Sequence, residues 1–310
     1  MNPQRTNEQP KSTPRFSLAA REGLVGYLAI LPWLVGFVML QLIPAVRGLQ
    51  ISLTQYDILT PPKYVGFANY ELMFQDPLFW HALGVTVKYT LLAVPTSVIL
   101  GLGLALLVNE KIHGLWLWRS IFYMPTAVPS VATSFVFLFL FNPQLGLVNS
   151  ALRRFGIQGP GWFSDPDWVI PTFVVMSLWT VGSSLPLYLA ALSGVPKVLH
   201  EAIQVDGGNR WHELRHGTIP WISPVLLYSF ILGIIGSLQV FTGAFIATQG
   251  GPSNASLFYV LYLYRNGWQY FDMGYASAMA LVLFLIILTL TVALLVFSKH
   301  VVYYEFDDRK

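Results

Sequence analysis

The sequence predicts an all-α membrane protein, a six-helix transmembrane bundle with a short cytoplasmic helix between spans four and five. Three observations predict it. Of 310 residues, 55% are hydrophobic and only 11% charged, too little polarity to cover a water-facing surface. Apolar stretches such as 276–297 exceed the roughly 20 residues a helix needs to cross a bilayer core. Charged or turn-rich segments divide the apolar windows into six spans, near 24–46, 82–108, 120–141, 168–192, 219–247 and 274–297.

Residues 1–23 are polar and carry Pro3, Pro10 and Pro14. They are expected to form a disordered cytoplasmic tail ahead of an uncleaved first span, because the apolar segment that follows is too long for a signal-peptide core and lacks an A-x-A site. Residues 24–297 read as one six-span domain and 298–310 as a second cytoplasmic tail, with no internal repeat. An even number of spans places both termini on one side. The two tails and the loops at 109–119 and 193–218 hold twelve of the 18 Lys and Arg residues, and the opposite loops hold only Arg47, Lys63, Arg153, Arg154 and Arg265. The termini are therefore expected to be cytoplasmic.

Prolines stand in or at the mouth of most spans (Pro32, Pro95, Pro125, Pro129, Pro171, Pro186, Pro224), where each removes a backbone donor and favours a bend. Gly101 and Ala105 form a small-xxx-small pair on the second span. Gly236 and Gly243 are seven apart, which on a continuous helix puts them on one face of the fifth.

Several chemistries are excluded. The net charge of +3 is scattered between spans, which argues against a nucleic-acid partner, and zero cysteines remove disulfide and thiolate chemistry. The spans contain no acid, which disfavours coupling to an ion gradient within the chain. Lys88 is the one charge well inside a span, open to two readings: snorkelling to the outer interface, or a place in a pathway. No G-x-x-x-x-G-K-[ST] loop is present, so ATP must be bound and hydrolysed by a partner if transport is active. The run His212-Glu213-Leu214-Arg215-His216 matches H-E-x-x-H, the pattern of a zinc-dependent protease. Arg215 between the ligands, a loop location and the lack of an obvious third ligand favour a solvated loop helix and no metal site.

The stretch from Pro196 to Gly208 (PKVLHEAIQVDGG) is expected to form about two turns of helix, opened by proline and closed by the glycine pair. Leu199, Ala202 and Ile203 fall at helical spacing. So short a helix is marginal alone and needs a docking surface, either the bilayer interface or a partner.

Glu201-Ala202-Ile203, Asp206-Gly207-Gly208 and Ile219-Pro220 resemble the E-A-A, D-G-A and I-x-L-P signature of permease subunits of binding-protein-dependent ATP-binding-cassette importers. The likeness runs over nearly the whole chain after residue 24. It is closer still to the sugar and glycerol-phosphate branch, through SLTQYD (52–57), VGFANY (65–70), RSIFYMP (119–125), LFNPQLGLVN (140–149), TQGGP (248–252) and MGYASA (273–278). Ile203, Gly208 and His200 depart from that pattern, as does Thr218-Ile219-Pro220, which reads I-P where the family more often has I-T-L-P. The resemblance implies a transport subunit of a bacterial or archaeal inner membrane and not an enzyme. A cytoplasmic coupling helix would contact an ATPase through Glu201, Ala202, Asp206 and Gly207. The implied partners are that ATPase in two copies, a second, different permease chain, an extracytoplasmic solute-binding protein and membrane lipid, with ATP and Mg on the ATPase and no cofactor in this chain. It also implies a substrate path along spans four and five, where Trp179, Ser183, Ser184, Ser237, Gln239 and Phe241 are the candidates. Aromatic, hydroxyl and amide groups there suit a sugar or sugar-like solute. Passive conduction and, behind it, membrane proteolysis are the alternative readings.

Overall fold

A computed structural model describes residues 18–109, 114–299 and 302. The expected tails fall largely outside the described residues, as does Lys111. Among the described residues the chain is helical except for short connections and one two-stranded hairpin.

Residues up to Gln50 form one compact unit and those from Ile51 onward another. In the first, α1 (Leu18–Phe37) continues through a π-helical turn (Val38–Leu42) into α2 (Ile43–Ser52), and Trp33 stacks on Phe37 at 5.5 Å. From Val25 onward its large apolar side chains are exposed, as a lipid-facing surface requires.

The second unit opens with β1 (Thr54–Gln55) paired antiparallel to β2 (Lys63–Tyr64), followed by α3 (Ala68–Gln75) and α4 (Pro77–Asn109). The 33 residues of α4 give about 50 Å at 1.5 Å per residue, longer than the bilayer core. Pro95 is carried inside it without a break. Next come α5 (Leu115–Tyr123), α6 (Ser130–Leu140) and α7 (Leu147–Arg154). The third predicted span is not one helix: Leu115–Ala127 and Ser130–Leu140 meet at 99°. Val128 is extended (ψ 126°) ahead of Pro129, as the clash of a proline ring with its predecessor dictates, and Pro125 has already removed one donor nearby. The fourth span is α8 (Val169–Leu178), a 3₁₀ turn (Val181–Ser184) and α9 (Leu185–Ser193), bent by 43°.

The loop to the fifth span holds α10 (Lys197–Val205). Then α11 (Arg210–His212), a π turn (Glu213–Thr218) and α12 (Ile219–Leu238) run on without interruption. The expected fifth span at 219–247 is a single helix only to Leu238: Gln239, Val240 and Phe241 leave helical geometry before α13 (Thr242–Ala247). Gly236 and Gly243 consequently do not share one helical face. The end of the chain supplies α14 (Tyr259–Tyr264) and α15 (Met273–Ser298). Counting each bent pair as one span gives six, as predicted.

An aromatic core centres on Phe258, which meets Tyr89 and Phe173 edge-on at 5.2 and 5.4 Å. Phe258 belongs to the loop after α13, which folds back among the helices so that Ser256, Leu257 and Phe258 are buried. Its polar groups are satisfied: the Ser256 hydroxyl donates to the Gly251 carbonyl at 2.5 Å, and the Tyr259 amide donates to Thr86 Oγ1 at 2.8 Å. A second cluster (Ala105, Leu185, Tyr188, Leu192, Ile222) joins α4, α9 and α12. There Gly101 does what the small-xxx-small pattern predicts, since a Cβ would stand 2.6 Å from Ser184 Oγ.

The elbow between α3 and α4 is fastened by Asp76, which accepts hydrogen bonds from Tyr262 (2.5 Å) and Tyr275 (2.8 Å). Burial raises the Asp76 pKa, but the two phenols and the Leu78 and Phe79 amides outweigh it and hold the carboxyl below its ordinary 3.8. Burial, then the Asp76 carboxylate, pushes Tyr262 up to about 12. A depressed carboxylate stabilises the fold above its unfolded pKa and loses that contribution as pH falls through the folded value, so acid below 3.8 should loosen this elbow. Asp76→Ala leaves two buried phenols without their acceptor and should cost about 2 kcal/mol, read as a lower melting temperature in detergent at neutral pH.

Candidate functional site: a docking helix and a hydroxyl-lined cavity

The helix α10 ends in a Schellman turn. Gly207 takes φ +79°, its amide donates to the Gln204 carbonyl (3.0 Å), and the Gly208 amide reaches back to Ile203 (2.8 Å). Ile203 packs where glycines leave room: a Cβ on Gly208 would collide with its side chain, and one on Gly217 would stand 3.2 Å from Cδ1. Leu199, His200 and Ile203 therefore turn toward the chain itself. Val198, Glu201, Ala202 and Val205 lie within about 100° of arc on the other side and are exposed, Val198 at 70% and Val205 at 87%. Of the apolar residues expected to dock, only Ala202 is on this outer face. Glu201, Ala202, Asp206 and Gly207 are all exposed.

The H-E-x-x-H run is engaged in structure. Asn209 caps α11, its side-chain oxygen accepting from the Trp211 and His212 amides at 3.0 and 3.1 Å and lying 2.7 Å from His212 Nδ1. Glu213 pairs with His200 Nδ1 (3.2 Å) and accepts from Gln204 Nε2 (2.9 Å). The His212 and His216 rings stack at 5.9 Å.

A cavity of about 420 Å³ opens between α4, the bend of the fourth span and α12. It collects Ser183, Ser184 and Ser237 from the expected path and adds Tyr89, Ser97, Ser177, Thr180, Tyr188 and Ser229, with no charged side chain. Several hydroxyls donate to carbonyls three residues back on their own segment: Ser97 to Val94 (2.9 Å), Ser177 to Val174 (2.7 Å), Ser184 to Val181 (2.9 Å), Ser237 to Ile234 (3.1 Å). With the proton committed, each of these serine oxygens keeps lone pairs to offer, while Tyr89, Tyr188 and Ser229 carry hydroxyls not committed in this way, so the wall presents acceptors and donors together. Phe241 lines an adjoining space of about 300 Å³ that shares Tyr89, Ser177 and Thr180. Trp179 and Gln239 line neither: Trp179 lies edge-on to Phe137 at 6.0 Å, and the Gln239 amide donates to the Ile235 carbonyl at 3.1 Å. Ser237 and Phe241, four apart, would share a face of a continuous helix, but the helix breaks after Leu238 and they do not. The missed α4 residues carried a signal, hydroxyls at Tyr89 and Ser97 two turns apart in an apolar run. Lys88 is about 180° from the centre of that α4 face and faces a separate depression with His81 and Pro166, so the pathway reading of Lys88 has no support in this cavity.

Residues 78–303 match the family described as Binding-protein-dependent transport system inner membrane component. The chain belongs to that family. Among its relatives is the probable ABC transporter permease protein YesP of Bacillus subtilis (strain 168), 35% identical over 290 residues, 92% of this chain and 94% of the relative. The sulfoquinovosyl glycerol transport system permease protein SmoG of Agrobacterium fabrum is 31% identical over 286 residues, covering 91% and 93%. A chain in the crystal structure of a bacterial ABC transporter involved in the import of the acidic polysaccharide alginate has the same fold, with TM-score 0.80 at 23% identity over 91% of this chain and 98% of that one.

The permease is thus a multi-pass inner-membrane transport subunit rather than an enzyme. The E-A-A, D-G-A and I-x-L-P residues that suggested the family all lie in or beside α10 and the π turn that leads into α12.

Proposed function

We propose that the permease forms, with a second and different permease chain, the membrane path of an ATP-driven importer for a sugar or sugar-like solute handed over by an extracytoplasmic binding protein. The observation that carries this reading is the charge-free cavity between α4, the bent fourth span and α12, whose largely apolar wall is studded with hydroxyl groups. A polyol is rich in donors and has apolar C–H faces. Serine acceptors beside Tyr89, Tyr188 and Val94 can take both, and the absence of a fixed charge in the cavity lets a neutral solute leave again. The name of the Agrobacterium relative, a sulfoquinovosyl glycerol transport permease, supports the class.

Energy enters through α10. Its outer face offers an apolar patch (Val198, Ala202, Val205) with Glu201 along one edge and Asp206 and Gly207 at its end, as a docking surface for a cytoplasmic ATPase present in two copies, which would hold the ATP and Mg. The concentration of Lys and Arg on that side supports cytoplasmic termini.

Purification of the tagged permease in mild detergent should bring down an ATPase and a second permease, with ATP hydrolysis in the complex. A chain that moves solute alone, without ATP, sinks the reading. Gly236 tests the cavity, because it lines it and a Cβ there meets nothing within 4 Å. Gly236→Phe should therefore fold, keep its partners and cut uptake at least about tenfold by filling the path, whereas wild-type uptake would remove the cavity from the route.

A further inference from the structure

The docking reading leaves unexplained how so short a helix conveys force. The nine residues of α10 are fewer than an isolated helix needs, and its outer face is exposed, so whatever holds it must act from behind. Ile203, seated against Gly208 and Gly217, is one attachment. The other is Glu213, whose two carboxylate oxygens are divided between His200 and Gln204, one helical turn apart on α10. His200 and Gln204 lie away from the Val198, Ala202 and Val205 face, so the carboxylate grips the back of the helix while the front stays open.

Glu213 is also the first residue of the π turn that runs unbroken into α12, and α12 carries Ser229, Gly236 and Ser237 of the cavity wall. Its side chain is 19% exposed, the bond to His200 is partly buried and the bond to Gln204 lies at the surface, and a carboxylate acceptor makes both stronger than neutral pairs. The Schellman turn at Gly207 and Gly208 is otherwise a pivot: a left-handed glycine followed by a second glycine lets α10 swing relative to α11 unless something bridges the corner.

We infer that Glu213 is a positioning residue that latches α10 to the foot of α12 through His200 and Gln204, so that displacement of α10 by an ATPase becomes movement of the cavity wall. The inference rests on the reading of α10 as the ATPase-docking helix. Glu213 itself faces away from the docking surface and need not touch the ATPase. The Glu of H-E-x-x-H then serves as a brace and not as a general base.

The test uses the whole importer in proteoliposomes, comparing solute transported per ATP hydrolysed with the amount of ATPase retained. Glu213→Ala should retain the ATPase in wild-type amount while transport per ATP falls about tenfold. Gln204→Ala should shift the ratio the same way by less, and Glu213→Gln, which keeps an acceptor oxygen for Gln204, should recover most of it. A merely structural role would lower bound ATPase, hydrolysis and transport together and leave the ratio unchanged, and that outcome overturns the latch, as does a wild-type ratio in Glu213→Ala. If Glu213→Ala cannot be recovered folded, the milder Gln204→Ala decides: a lowered ratio supports the latch and a wild-type ratio overturns it. A wild-type preparation that holds no ATPase overturns the docking reading itself, an outcome recognisable before any variant is made.

Discussion

Glu201→Lys in this permease is expected to leave the chain folded and inserted and to lose the ATPase. Glu201 is exposed at one edge of the outer face of α10, beside Val198 and Val205, and among the described residues its side chain makes no hydrogen bond that the fold depends on. Reversal of its charge therefore acts on whatever docks there. Like charges brought together at a contact cost several kcal/mol, and about 3 kcal/mol is already more than a hundredfold in affinity. Co-purification of the ATPase should fall to background and ATP-driven uptake with it, while the melting temperature of the permease stays within a degree or two. Undiminished capture would move the docking surface elsewhere. Gly207→Pro reaches the same end by another route. Gly207 stands at φ +79°, which a ring fixed near −65° cannot adopt, and its amide is the donor to Gln204 that closes the helix. The two variants separate surface chemistry from helix geometry, since only the second should alter the permease on its own.

The class of fold was legible because a bilayer imposes long apolar runs, and all six windows appear as spans or bent spans. The breaks were legible only in part. Pro129 stands behind a β-branched residue and four positions after Pro125, and there the helix turns through 99°. Pro95, the one proline inside α4, does not interrupt it. No Gly or Pro between Ser237 and Thr242 marks the break after Leu238, so the angles that a continuous helix would set between Ser237, Gln239 and Phe241 do not hold. The position of α10 and its glycine stop followed from Pro196, Gly207 and Gly208. Which side faces outward did not, because periodicity gives a stripe and not its partner. Room beside Gly208 and Gly217, residues distant from Ile203 in the pattern, decides that Ile203 points in and Val205 out. The sequence sets the H-E-x-x-H run aside as a metal site, but the actual partners of the run were not legible there: Asn209, His200 and Gln204, which engage His212 and Glu213, stand outside the pattern.

Gly182→Val is the substitution expected to damage the fold most. The two bent spans meet where the 3₁₀ turn Val181–Ser184 lies against the end of α5, and a Cβ on the buried Gly182 would overlap the Phe122 carbonyl. The obstacle is main chain, so no change of rotamer relieves it, and the helices must part. Overpacking ordinarily costs about 1–3 kcal/mol, and a clash with fixed backbone lies at or beyond the top of that range, a large share of the about 5–15 kcal/mol that holds a native protein together. Little folded Gly182→Val should survive extraction, Gly182→Ala should melt lower than wild type by a smaller margin, and Gly236→Ala, at a glycine with open space, should melt as wild type. A wild-type melting temperature for Gly182→Val would mean that the spans do not cross this closely. The site also ties stability to transport: Ser183 and Ser184 follow Gly182 directly and form part of the hydroxyl wall, so any displacement of the turn is a displacement of the cavity lining. In whatever Gly182→Ala protein is recovered, uptake should accordingly fall further than the loss of folded protein accounts for.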